Sequence, residues 1–91
     1  MLIGGGAVIE FGASVSASIL GAGVIVESGA HVVNSVILDR ATIRSGARVT
    51  DSVVGSDSTI GQGANVAEVS VIGCGIEVEA GVSLAGVRFP E

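Results

Sequence analysis

The sequence predicts an all-β protein, a triangular solenoid of short parallel strands, and two observations lead to that prediction. The first is composition: the 91 residues include 15 Gly, two Phe and neither Trp nor Tyr, so Val, Ile and Ala must build the core. Such a composition favours strands over helices. The second is that one hexad recurs at a nearly constant interval along almost the whole chain. We therefore expect a single domain, residues 1–91, of about five coils with roughly 17–18 residues each.

The repeated hexad begins with an aliphatic residue and carries Gly at its fourth position. Its five copies begin at Ile9, Val26, Ile43, Ile60 and Val78. The last interval is one residue longer than the others, and alignment assigns the extra residue to Val69. Because stacked strands in register bring equivalent residues above one another, we expect the five aliphatic residues to form one column of the core.

Two further segments of similar length complete each period, so that a coil has three sides. We expect the large aliphatic residue to open each strand. The small residue two positions earlier, such as Ala30 before Val32, should fill the corner, because alternate strand residues share a face. Only Met1, Leu2 and a short tail after Leu84 fall outside these repeats.

A column of glycines recurs once per coil. Its members are Gly12, Gly29, Gly46, Gly63 and Gly81. Glycine reaches positive φ without the steric cost of a Cβ, so a corner repeated with one backbone geometry selects it each time. We interpret the column as structural, since a phosphate-binding glycine loop would occur once and open a helix.

Charge and cysteine content exclude several classes of partner. The net charge is −5 and lysine is absent, which argues against nucleic acid and against an anionic membrane surface. Cys74 is the single cysteine, so no internal disulfide can form and a reducing compartment is favoured. With no signal-peptide pattern at the N-terminus, we expect a cytoplasmic protein.

Glu27 and Arg44 occupy adjacent strands of one outward column, which predicts an exposed ion pair.

Residues capable of catalysis or metal binding are few and dispersed. A zinc site needs several ligands, and the only histidine, His31, falls in an outward column beside Arg48. The acidic residues that fall on outward positions of different sides are Asp39, Asp51, Asp57 and Glu68. We therefore expect no catalytic residue, no metal site and no cofactor-binding residue in this chain.

Four apolar residues have no inward role in the predicted register and are the candidate interface residues. They are Phe11, Val33, Leu38 and Phe89. Both ends of a solenoid are also open strand edges, which invite pairing unless they are capped. We expect a homo-oligomer, a dimer formed end to end or through the side that carries Phe11, with the negative charge opposing further growth.

Three local strings carry a family resemblance. They are Asn34–Asp39 (NSVILD), Asp51–Gly55 (DSVVG) and Val69–Gly73 (VSVIG). Alternating with the hexads, they resemble the hexapeptide-repeat family, whose fold is the single-stranded left-handed parallel β-helix. More narrowly, they are similar to the C-terminal β-helix of nucleoside-diphosphate-sugar pyrophosphorylases, of the mannose-1-phosphate guanylyltransferase and glucose-1-phosphate nucleotidyltransferase type. The closing Gly86–Pro90 (GVRFP) is also similar to the end of such chains.

This resemblance implies a function in assembly. In that family the β-helix follows a catalytic domain and mostly mediates assembly or regulation. The present chain has no lysine and no Gly-rich nucleotide-binding signature, so we expect a non-catalytic scaffold whose partners are other copies and a fused catalytic domain. Two alternatives stay open: a stand-alone or engineered structural solenoid, and an acyltransferase-like fragment with a site between subunits.

Overall fold

The structure is a computed structural model that describes residues 2–86 and 88–89, with the backbone alone for Leu2, Arg88 and Phe89. These residues contain sixteen strands of two or three residues and no helix. Every strand pairs in parallel with the strand three positions away in the chain, so three sheets form the sides of a prism. The prism measures 30 × 20 × 20 Å. The predicted all-β solenoid of about five coils is thereby confirmed.

Each sheet takes one strand from every coil. Sheet 1 consists of β1 (Leu2–Ile3), β4 (Ile19–Leu20), β7 (Val36–Ile37), β10 (Val53–Val54), β13 (Val71–Ile72) and β16 (Arg88–Phe89). Sheet 2 consists of β2 (Val8–Ile9), β5 (Ile25–Val26), β8 (Thr42–Ile43), β11 (Thr59–Ile60) and β14 (Glu77–Val78). Sheet 3 consists of β3 (Ser14–Ser16), β6 (His31–Val33), β9 (Arg48–Thr50), β12 (Asn65–Ala67) and β15 (Ser83–Ala85).

The strand register follows the sequence period. Val26 pairs with Ile43 across an ordinary interval, whereas Val53 pairs with Val71 across the interval that is longer by one. The extra residue lies at the corner that precedes β13, where Glu68 and Val69 have φ of 58° and 63° and Val69 is 75% exposed. The insertion therefore widens a corner and leaves the strand pairing intact, as the alignment predicts.

The core is a set of stacked aliphatic columns. In sheet 2, Val26, Ile43 and Ile60 are completely buried, and small residues such as Ala41 fill the corners without exposure. One detail of the prediction is wrong: the aliphatic residue does not open its strand. The strand begins one residue earlier, as in β8 (Thr42–Ile43). The reason is that the backbone N–H groups of Thr42 and Arg44, on either side of Ile43, donate hydrogen bonds to carbonyl groups of the neighbouring coil.

The two ends of the solenoid are less covered than its middle. Ile9 belongs to the inward column of sheet 2 but is 37% exposed, because the first coil has a neighbour on one side only.

The expectation that the tail lies outside the repeats is wrong. β16 pairs with β13 and places Phe89 opposite Ile72, a buried position of sheet 1, because the sequence period continues. The Phe89 side chain lies outside the described part of the chain.

Left-handed backbone conformations mark all three corners of each coil. The predicted glycine column has positive φ throughout, from 72° at Gly63 to 89° at Gly12. At the corner between sheets 1 and 2, Arg40 and Asp57 occupy the same conformation with φ of 61° and 59°. At the corner between sheets 3 and 1, Asn34 and its stacked neighbours do so, with φ of 52° at Asn34. Residues other than glycine therefore adopt the left-handed conformation in some coils at two of the corners.

Candidate functional site

The three candidate interface residues whose side chains are described all point away from the core, but they do not form one surface. Phe11 is 99% exposed at the corner between sheets 2 and 3. Val33 lies on the outer face of sheet 3, and Leu38 follows β7 at the corner between sheets 1 and 2. Their use as an interface stays a prediction, and the dispersion means that they cannot act as one contiguous patch.

His31 lies on the outer face of sheet 3, as the register predicts. It pairs with Ser14 on one side and with Arg48 on the other, and all three side chains are exposed. Neither of these strand neighbours has a carboxylate side chain of the kind that orients an imidazole as a general base. The surroundings of His31 therefore favour the surface role expected from the sequence.

The carboxylates at the corner between sheets 1 and 2 connect successive coils. The Asp39 Oδ1 atom accepts a hydrogen bond from the Ala22 N–H at 3.0 Å. Arg40 donates to Asp57 with Nε–Oδ1 and Nη2–Oδ2 distances of 2.8 and 3.3 Å. This hydrogen bond lowers the pKa of Asp57 and raises the pKa of Arg40 relative to their ordinary values. Asp39 and Asp57 thus share one corner, whereas the sequence had suggested different sides.

The other charged corners are built in the same way. At the corner between sheets 3 and 1, the Asn34 Nδ2 atom donates to the Asp51 Oδ1 atom at 2.6 Å. At the corner between sheets 2 and 3, Glu27 Oε1 accepts from the Ser45 N–H at 3.0 Å and from Arg44 Nε at 3.2 Å. The predicted Glu27–Arg44 ion pair is therefore present. These carboxylates supply acceptors where the corner backbone turns away from the regular ladder.

A ladder of buried serines runs inside the corner between sheets 3 and 1. Its members are Ser18, Ser35, Ser52 and Ser70. The Ser35 Oγ atom donates to the Val33 carbonyl at 2.9 Å and accepts from the Ser52 N–H at 3.1 Å, and the same pattern links the other members. Sequence reasoning identified these serines only as small corner residues. Their hydroxyls also satisfy backbone groups that the turn leaves unpaired.

The outer face of sheet 1 was not singled out from the sequence. Consecutive strands place Ile19, Val36, Val53 and Val71 side by side on it, in register. Ile19 and Val71 are 46% and 38% exposed, and the other two are partly exposed. We call these four residues the sheet-1 ladder. The sequence signal is an aliphatic residue directly before each inward one, as in Val36–Ile37.

The part of the chain that the structure describes contains no group of three His, Cys, Asp or Glu side chains suited to a metal ion. It also contains no helix long and apolar enough to cross a membrane. Cys74 is exposed and free. Many of the polar side chains described above hydrogen-bond to a residue of the next coil and so stabilise the stacking of coils.

Comparison with known proteins identifies the family. The family model described as the GMPPB C-terminal domain matches residues 1–89, nearly the full chain. None of the curated proteins compared with the chain matches it. A hexapeptide-type β-solenoid is the architecture that the sequence resemblance implies for such a domain, and the three parallel sheets agree with it. The chain belongs to the GMPPB C-terminal domain family, the C-terminal part of nucleotidyltransferases of the mannose-1-phosphate guanylyltransferase family.

Proposed function

We propose that this chain is a non-catalytic support and assembly domain for a nucleotidyltransferase. The observation that carries the proposal is the use of its polar side chains. Carboxylates, serines and two arginines bind one coil to the next, joining residues about one sequence period apart. Side chains already engaged in stacking the solenoid are held in place for stability, and they would have to leave these contacts to meet a substrate.

The requirements of nucleotidyl transfer support the same conclusion. That reaction needs cationic side chains and carboxylate-held Mg²⁺ around the transferring phosphate. Here lysine is absent from the sequence. Arg40 and Arg44 are paired with Asp57 and Glu27 at 2.8 and 3.2 Å. We therefore place the chemistry in another domain, and the match of this chain to a C-terminal domain family supports that proposal.

The first coil offers a docking end for that domain. Ile3 and Ile9 occupy inward register positions but are 42% and 37% exposed, and Val8 beside them is 47% exposed. Apolar core residues and open strand edges at the end of a solenoid need a cover. We assign this end to the catalytic domain and leave the sides of the prism for contacts between copies. The acidic composition and single cysteine favour a cytoplasmic location for the assembly.

An activity assay tests the catalytic part of the proposal. The purified chain, incubated with nucleoside triphosphates, sugar 1-phosphates and Mg²⁺, is expected to release no pyrophosphate above a no-protein background. A mannose-1-phosphate guanylyltransferase with its catalytic domain serves as the positive control. Turnover that persists through repurification and scales with the concentration of this chain would overturn the proposal.

A further inference from the structure

The sheet-1 ladder is an outward surface that the fold itself does not require to be apolar. The inward column of the same sheet is already complete with Leu20, Ile37, Val54 and Ile72. The equivalent outward ladder of sheet 3 is polar and consists of Ser14, His31, Arg48, Asn65 and Ser83. The outward ladder of sheet 2 is mixed and consists of Val8, Ile25, Thr42, Thr59 and Glu77. Polar residues therefore fit such positions, and the unbroken aliphatic line of sheet 1 needs a separate explanation.

The ladder is flat and carries no charge along its four described members. Parallel strands in register hold its side chains in one line at a spacing of about 4.8 Å. By register Leu2 precedes Ile19 and Arg88 follows Val71 at its two ends. Carboxylates stand at the two flanking corners, Asp51 and Glu68 at one and Asp39 and Asp57 at the other. A partner centred on the ladder can therefore bury aliphatic surface between these corners without desolvating a carboxylate.

We propose that the outer face of sheet 1 is the surface through which two copies of this chain pair side by side. This inference rests on the proposed assembly function and names its partner and its surface. A flat line of similar side chains is complementary to a second copy of itself, which suits an isologous two-fold interface. Pairing through this face, whose four ladder residues are uncharged, also lets two chains of net charge −5 meet with most of their charge directed away from the contact.

The size of the face fits a weak dimer. A whole side of the prism, about 24 Å long from five coils at the strand spacing and about 20 Å wide with its corners, gives at most roughly 500 Å² per copy. The two copies together would bury at most about 1,000 Å², which is near the lower limit for a specific protein interface. We therefore expect a dimer with a dissociation constant in the micromolar range. It should not grow into larger assemblies, because pairing buries the apolar face of both copies.

Sedimentation equilibrium on the purified chain and three variants tests this surface. The wild type is expected to shift from monomer to dimer across about 1 to 100 µM, and Val53→Glu should weaken the dimer at least tenfold, because it buries an unpaired carboxylate at the centre of the contact. Thr50→Glu, the same charge on the outer face of sheet 3, and Phe11→Ser, which removes the most exposed aromatic ring, should leave the dimer intact. Circular dichroism melts of all four proteins verify that each is folded.

Two results would overturn the proposal. If the wild type stays monomeric across the whole concentration range, this chain does not form the proposed dimer. A dimer that Val53→Glu leaves unchanged, but that Phe11→Ser or Thr50→Glu dissolves, moves the interface to another face; the assembly function then survives while this surface does not. Should Val53→Glu fail to fold, Val53→Ser replaces it, since serine already occupies outward strand positions in sheet 3 and the aliphatic contact is still lost.

Discussion

Replacing Ile43 with Asp is expected to unfold the domain. Ile43 is completely buried in the middle coil, between Val26 and Ile60 of the same column. A carboxylate there would lose its hydration and meet only aliphatic neighbours, at a cost of at least about 4 kcal/mol. That is a large part of the roughly 5–15 kcal/mol that stabilises a typical domain. Circular dichroism and a thermal or urea melt at neutral pH measure the loss.

Thr42→Asp is the matched control for Ile43→Asp. Thr42 precedes Ile43 in β8 but lies on the outer face, where it is only partly buried. The same side chain placed there keeps its water, so the change in the free energy of unfolding should be within about 1 kcal/mol. If Ile43→Asp retained a cooperative melt near the wild-type temperature while Thr42→Asp unfolded, the inward and outward faces of the strand would be reversed.

Gly55→Ala is expected to destabilise the domain by about 3 kcal/mol, because the next coil leaves no room for a methyl group. A Cβ at Gly55 would lie 2.5 Å from the carbonyl carbon of Gly73 and 2.6 Å from the amide nitrogen of Cys74. Both are backbone atoms of the stacked coil directly after β13, which pairs with β10, so the clash can be relieved only by separating two coils. Urea denaturation curves of the variant and the wild type measure the difference.

Gly5→Ala separates this steric effect from the general effect of replacing glycine. A Cβ at Gly5 meets no atom within 4 Å, and Gly5 is not among the residues with positive φ. Its substitution should leave stability unchanged or raise it by a few tenths of a kcal/mol, through a less flexible unfolded chain. Equal stability of the two variants would mean that the coils are not packed as closely at Gly55 as the structure shows.

The architecture could be predicted from the sequence because each residue type that recurs in the repeat has one physical cause. The regularly recurring aliphatic residue predicts the stacked column at Ile43, and Gly46 predicts the left-handed corner, since most other residues are strained there. The alignment also places the extra residue at the right corner, because the pairing interval becomes one residue longer between Val66 and Val71. These features depend on backbone geometry and burial, which a repeat displays directly.

The corners could not be read from the sequence with the same ease. Arg40 and Asp57 adopt left-handed backbone conformations without glycine, and nothing in one hexad marks them. Asn and Asp tolerate this conformation because their short polar side chains bond locally. The relevant signal is the separation of partners by one full period, as in Arg40 with Asp57 and Asn34 with Asp51. It becomes visible only when the three sides of each coil are aligned separately.

The sequence alone does not single out the sheet-1 ladder, for a related reason. The string Ser35-Val-Ile37 contains two adjacent aliphatic residues. The repeat pattern predicts that Ile37 points inward, but it makes no prediction for Val36. Once the strand is seen to begin at Val36, alternation places that residue outside. The sequence pattern instead favours the single exposed apolar residues Phe11 and Leu38 as interface candidates, although a continuous line of smaller residues offers more contact area to a partner.

Methyl–methyl nuclear Overhauser contacts in the isotope-labelled chain test the stacking of coils most directly. The expected result is a chain of contacts at the strand spacing of about 4.8 Å that joins Val26 to Ile43 and Ile43 to Ile60, each pair one period apart. A parallel series should join Val36 to Val53 on the outer face of sheet 1, and Val53 in turn to Val71 across the longer interval. Contacts at other separations, or strong contacts between Ile43 and the outward Val53, would contradict the three-sided coil on which both the support function and the pairing surface depend.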